Sequence, residues 1–126
     1  MYLLLDLSVH NLIHLALFDK NSRNDKEVEA QNRDLLSVID SFLVEQQIGP
    51  KDIEGIMAVF GEGSFTSSRL SAVVANTFAY VQNIPLLGIK KEDVGRAQEL
   101  IAELLEQPKG QYISATYSGE PNIGGK

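Results

Sequence analysis

Gly55-Ile56-Met57-Ala58-Val59-Phe60-Gly61-Glu62-Gly63-Ser64-Phe65-Thr66-Ser67-Ser68-Arg69 is the stretch whose reading decides the fold. Its first six residues are a short, almost wholly apolar run, the pattern of a strand covered on both faces. The run ends in Gly61-Glu62-Gly63-Ser64, where two glycines permit unusual backbone angles and Ser64, Thr66 or Ser67 can cap a helix. The helix that follows carries Leu70, Val73, Val74, Thr77, Phe78 and Val81 on one stripe. Ser71, Ala72, Ala75, Asn76 and Ala79 fill much of the remainder, small residues that let a second helix approach closely.

Upstream, Leu35, Leu36, Ile39, Phe42 and Leu43 repeat at helical spacing from about residue 32 and stop at Gly49-Pro50. Earlier still, residues 2–7 and 11–18 read as strands joined tightly through Ser8, Val9 and His10. The polar stretch 19–26 reads as a turn, with a short third strand near 27–31 completing an antiparallel meander. Downstream of Pro85, residues 86–89 form another short apolar strand. Residues 92–107 then read as one helix, apolar at Val94, Ala97, Leu100, Ile101, Leu104 and Leu105. The order is βββαβαβα, which predicts a mixed five-stranded α/β sheet with flanking helices. Residues 1–107 are expected to form a single domain. Residues 108–126 carry four of the ten glycines and two of the four prolines, and read as an irregular tail. The segment from Ala115 through Ile123 suggests a docked end to that tail.

Composition narrows the function. The chain has 126 residues, 44% of them apolar, enough for one domain that buries roughly two-thirds of its unfolded surface. It has no cysteine, so thiol catalysis, thiolate zinc sites and disulfides are excluded. Eleven basic residues against 17 acidic ones give a net charge of −6, a poor footprint for gripping nucleic acid directly. No segment reads as a targeting or membrane-spanning element, which predicts a soluble cytoplasmic protein.

The glycine turn fails the familiar phosphate and nucleophile motifs. A P-loop needs a lysine before its hydroxyl residue, and no lysine lies between Lys51 and Lys90. A dinucleotide fingerprint needs a glycine where Thr66 stands, and a hydrolase elbow needs glycines at Glu62 and Thr66. A capped strand-to-helix turn remains.

The residues do carry a resemblance. Gly61-Glu62-Gly63-Ser64-Phe65-Thr66-Ser67-Ser68-Arg69 resembles the Gly-Pro-Gly-Ser-Phe-Thr-Gly-Leu-Arg motif of the TsaB (YeaZ) family, followed by an alanine-rich helix and Ile84-Pro85. Leu5-Asp6-Leu7-Ser8 is similar to that family's Asp-Thr-Ser hairpin, and the stretch from Arg33 to Asp40 to its Leu-Leu-Pro-x-Ile-Asp helix. The resemblance covers about residues 2–90 and implies a ribonuclease H-like or actin-like ATPase half-fold. It implies a non-catalytic subunit in synthesis of threonylcarbamoyladenosine (t6A) on tRNA. Such a subunit pairs with the TsaD transferase paralogue through helices of its first lobe, can pair with itself, and works beside a TsaE ATPase. Glu62 replaces the family's proline and Ser67-Ser68 its Gly-Leu, so a carboxylate stands beside any phosphate cradle and opposes phosphate charge.

Several residues are singled out. Asp6 and Ser8, with Gly61 and Gly63, mark a vestigial nucleotide site, because in actin-like folds an acidic residue ending the first strand faces the phosphates and can hold a hydrated metal. The plainer reading is an aspartate that only orders the hairpin. His10 and His14 have a metal-ligand spacing, but on a strand four residues span roughly 13 Å, so no metal site is expected. Arg69 can bind a partner carboxylate or pair with Glu62 or Glu54. For the partner interface the expected residues are Leu36, Asp40 and Leu43 on the first helix and Ala72, Ala75, Asn76 and Ala79 on the second. Two readings stand. One is a scaffold without cofactors that binds a TsaD-like protein or a second copy of itself, with RNA contact left to the partner. The other is a small nucleotide-binding module with weak or no ATPase activity.

Overall fold

The computed structural model describes residues 1–60 and 65–110. Five strands, β1 (Tyr2–Asp6), β2 (Leu12–Phe18), β3 (Arg23–Glu29), β4 (Gly55–Val59) and β5 (Leu86–Ile89), form one mixed sheet in the order β3-β2-β1-β4-β5. β1-β2 and β2-β3 are antiparallel, whereas β1-β4 and β4-β5 are parallel. The expected mixed five-stranded α/β sheet is therefore present.

Strand alternation sends side chains to two separate cores. Leu3, Leu5, Leu7, Ile13, Leu15, Leu17, Ile56 and Ala58 face the helices α1 (Leu35–Glu45) and α2 (Phe65–Gln82). Leu4, Ala16, Phe18, Met57, Val59 and Leu87 face the opposite way, under a 3₁₀ segment (Lys91–Leu100) and the short helix α3 (Ile101–Leu105). All five residues of β4 are buried, as a strand with cover on both faces requires. Gly55 is what lets Leu104 of α3 reach the sheet, since a Cβ there would stand 2.7 Å from the Leu104 Cδ2.

Both long helices end the same way. Gln47 (φ 58°) and Asn83 (φ 56°) adopt the left-handed conformation. Ile48 N–H then bonds back to Leu43 O and Ile84 N–H to Ala79 O, satisfying carbonyls that would otherwise lack donors. The first helix thus stops before Gly49-Pro50, which instead opens a short 3₁₀ turn, Pro50–Asp52.

Three elements differ from the sequence expectation. The third strand is Arg23–Glu29 and not 27–31, and the turn shrinks to Asp19–Ser22, where the Asp19 carboxylate accepts bonds from Asn21 N and from Ser22 N and Oγ. β3 is an edge strand, and charged residues of both signs are tolerated there because half of its surface stays in water. The stretch 92–107 is not one α-helix. It is a 3₁₀ segment with a kink at Arg96 (φ −117°), followed by five α-helical residues, because long-range side-chain bonds and Gly95 override the local period.

The third difference is the phase of α2. Ala72, Ala75, Asn76 and Ala79 are buried in the chain's own core, while Val73, Thr77, Tyr80 and Val81 face outward. The small side chains are what allow α2 to settle closely on β4, so size of contact surface gave way to distance of approach. On α1, Leu43 is likewise buried, whereas Leu36 and Asp40 are exposed. Five of the seven expected interface residues are thereby corrected to core positions.

Candidate functional site

The carboxyl ends of the parallel strands β1, β4 and β5 lie along one edge of the sheet, the place where open α/β sheets gather their polar chemistry. Asp6 ends β1 there and is 2% exposed. Its Oδ1 accepts from Ser8 N (2.9 Å) and Ser8 Oγ (2.6 Å), which closes the hairpin as an Asx-type turn. Its Oδ2 accepts from Lys91 Nζ at 2.7 Å. Lys91 opens the 3₁₀ segment just beyond β5, so the topology brings its chain to the same edge.

His14 stands opposite Asp6 in the β1-β2 register. Its Nδ1 lies 3.6 Å from Asp6 Oδ2, an ion-pair distance too long for a hydrogen bond, and its Nε2 lies 2.6 Å from Asp25 Oδ2. Arg23 holds Asp25 with Nε at 2.8 Å and Nη2 at 3.0 Å. The remaining nitrogen, Nη1, donates to Val94 O at 2.7 Å. A row of ionisable side chains, Lys91, Asp6, His14, Asp25 and Arg23, therefore crosses β1, β2 and β3 and pins the 3₁₀ segment at both ends of the row. Gln98 adds bonds from Nε2 to Asp19 O and Ser22 O.

The protonation states follow from these contacts. Burial alone would raise the Asp6 pKa, but His14, Lys91 and Ser8 together hold the carboxyl well below the usual carboxylate range. The Asp6 carboxylate, working against burial and joined by Asp25, raises the His14 pKa. Both ring nitrogens face carboxylate oxygens, an arrangement that suits the imidazolium, with a donor on each side. Asp25 is desolvated, yet the bonds from Arg23 and His14 lower its pKa.

Of the residues expected to matter, Asp6 and Ser8 come together. Gly61, Gly63 and Ser64 lie outside the described residues, as do the side chains of Phe65 and Thr66. Residues 111–126, most of the expected tail, lie outside them too. His10 stands on the exposed hairpin loop and His14 within β2. Among the described residues no group of three or more His, Asp or Glu side chains is placed to hold a metal ion. Nor does the donor set at Asp6 suit a hydrated divalent cation, because the Lys91 ammonium already occupies Oδ2 and both Ser8 donors occupy Oδ1. Arg69 is exposed on α2, and Glu54, one of its expected partners, lies 2.6 Å from the amino group of Met1.

Sequence reasoning missed Lys91, Asp25, Arg23 and the role of His14. Alternation on β1 and β2 was a usable signal for Asp6 and His14 sharing a face. Nothing local announced Lys91, which is separated from Asp6 by 85 positions.

A second surface lies on the helices. Val73 (58% exposed), Tyr80 (75%) and Val81 (67%) form an apolar stripe on α2, and Leu36 and Val44 project from α1 on the same side of the sheet. No described helix is long and apolar enough to cross a membrane.

This sheet, with its strand order, mixed pairing and flanking helices, is the ribonuclease H-like or actin-like half-fold. The sequence profile of the family described as TsaD, tRNA N6-adenosine threonylcarbamoyltransferase, matches residues 28–117, well over half of the chain. The chain belongs to that family. Among solved structures it is similar to YeaZ from Pseudomonas aeruginosa, with a TM-score of 0.64 and 22% identity over 71% of this chain and 44% of that one. It is also similar to an uncharacterised protein described as resembling peptidase YeaZ from Pseudomonas aeruginosa, with a TM-score of 0.66 and 22% identity over 82% of this chain and 49% of that one. The chain spans about half the length of these structures.

Proposed function

We propose that this chain is a non-catalytic subunit of the machinery that makes threonylcarbamoyladenosine on tRNA. Its task is to dock a TsaD-type partner, or a second copy of itself, through the outward faces of α1 and α2. The observation that carries this reading is the exposed stripe Val73, Thr77, Tyr80 and Val81 on α2, with Leu36, Asp40 and Val44 exposed on α1 over the same face of the sheet. Isolated apolar side chains are ordinary on a surface. Five of them, one a tyrosine, on two helices that cover the same face of the sheet have the makeup of an interface centre. Family membership supports the pathway, and the YeaZ-like fold supports the scaffold role within it.

In this reading residues 1–107 act as one docking domain with 108–126 as its tail, in the cytoplasm, and a TsaE-type ATPase joins through the partner. The net charge of −6 supports leaving RNA contact to that partner. Co-purification of the full chain with the host's TsaD homologue tests the proposal. Association at micromolar concentration that is lost in Tyr80→Glu is the expected result. Failure of the wild-type chain to associate would overturn it.

A further inference from the structure

We infer that Lys91 is a tethered counter-cation for Asp6, holding the position that a hydrated divalent metal would otherwise take at the carboxyl edge of the parallel strands. The inference stands on geometry at that edge and is independent of whether the helices dock a partner.

An ionised carboxylate offers about four lone-pair sites. In Asp6 three are engaged: Oδ1 takes both Ser8 donors and Oδ2 takes Lys91 Nζ at 2.7 Å, while His14 Nδ1 stands 3.6 Å from Oδ2 on the remaining side. Hard cations need several oxygen ligands, and magnesium retains part of its water shell. With the Lys91 ammonium on Oδ2, Asp6 is 2% exposed and leaves no space for that shell. A metal approaching Oδ2 would also meet the Lys91 ammonium at close range, and the repulsion is strongest where water is excluded.

Lys91 is not an incidental surface lysine that happens to fold back. Its segment is fastened on the same face by Arg23 Nη1 to Val94 O and by Gln98 Nε2 to Asp19 O and Ser22 O. Its ammonium is therefore delivered by a segment fixed along the β1-β2-β3 meander. The tether makes charge neutralisation at Asp6 intramolecular, so it needs no ion from solution and does not vary with ion concentration. A chain built this way keeps Asp6 neutralised whether or not divalent metal is present.

Manganese ion is the probe, read as paramagnetic broadening of amide signals in full-length protein. The wild-type chain and Lys91→Arg should retain the signals of Asp6, Leu7 and Ser8 when manganese is added. Lys91→Met should lose them, and adding Asp6→Asn to that variant should restore them. Loss of these signals in the wild type, reversed by Asp6→Asn alone, would overturn the inference, as would a folded Lys91→Met that keeps them. If Lys91→Met does not fold, the wild-type and Lys91→Arg spectra still decide the matter.

Discussion

Lys91 Nζ lies 2.7 Å from the Asp6 carboxylate across 85 positions of sequence, and the contact joins the segment after the last strand to the end of the first. Asp6 is almost wholly shielded from water while Lys91 is about half exposed, so the burden of the pair falls on the aspartate. Removing the lysine leaves a buried carboxylate with fewer donors. Lys91→Met should therefore lower stability by about 1.5–3 kcal/mol, the range for losing a hydrogen bond to a charged group. Urea denaturation checks this, and a midpoint equal to wild type would contradict it.

Stability should depend on pH through Asp6 and His14. The Asp6 pKa is depressed below its ordinary 3.8, so its contribution is present above that value and is lost as pH falls through the folded-state value. The His14 pKa is raised above its ordinary 6.5, so its contribution is complete below 6.5 and is lost as pH rises through the folded-state value. Both are present together between 3.8 and 6.5, where the urea midpoint should be highest. In His14→Gln the decline on the alkaline side of that window should flatten, and an unchanged profile would refute the assignment.

Gly55→Ala should be destabilising although alanine suits a strand better. The added Cβ would come within 2.7 Å of Leu104 Cδ2 and 3.2 Å of Tyr2 Cδ1, and Leu104 is fully buried. A cost of about 1–3 kcal/mol is expected from overpacking. Thermal unfolding measures it, and Leu104→Ala should cost less in the Gly55→Ala background than in the wild type if the clash is its source.

Two substitutions on α2 separate the docking face from the core. Val73→Glu changes a side chain that is 58% exposed, so stability should stay within about 0.5 kcal/mol while association with a TsaD-type partner falls. Ala75→Glu places a charge at a position with no exposure and should cost several kcal/mol, enough to unfold the domain. Paired denaturation and pull-down measurements distinguish them. Equal partner binding by Val73→Glu and wild type would remove this face from consideration.

The same helix shows why its face was misread. Leu70, Val73, Val74, Thr77, Phe78 and Val81 make a plausible apolar stripe, but a stripe states only which residues prefer to leave water. Ala72, Ala75 and Ala79 bury less area each, yet they let the α2 backbone approach β4. Close packing along the sheet prevailed over the larger side chains.

Sequence by itself determined the order of elements, the fully buried β4 and the meander of three strands, because alternation and turn chemistry are written in adjacent residues. The tertiary structure alone decided the extent of β3, the 3₁₀ course of residues 91–100, the phase of α2 and the row from Lys91 to Arg23. Those features depend on strand register and on charges far apart in the chain. Only the folded sheet brings them within reach, and it shields Asp6 from water enough for its partners to matter.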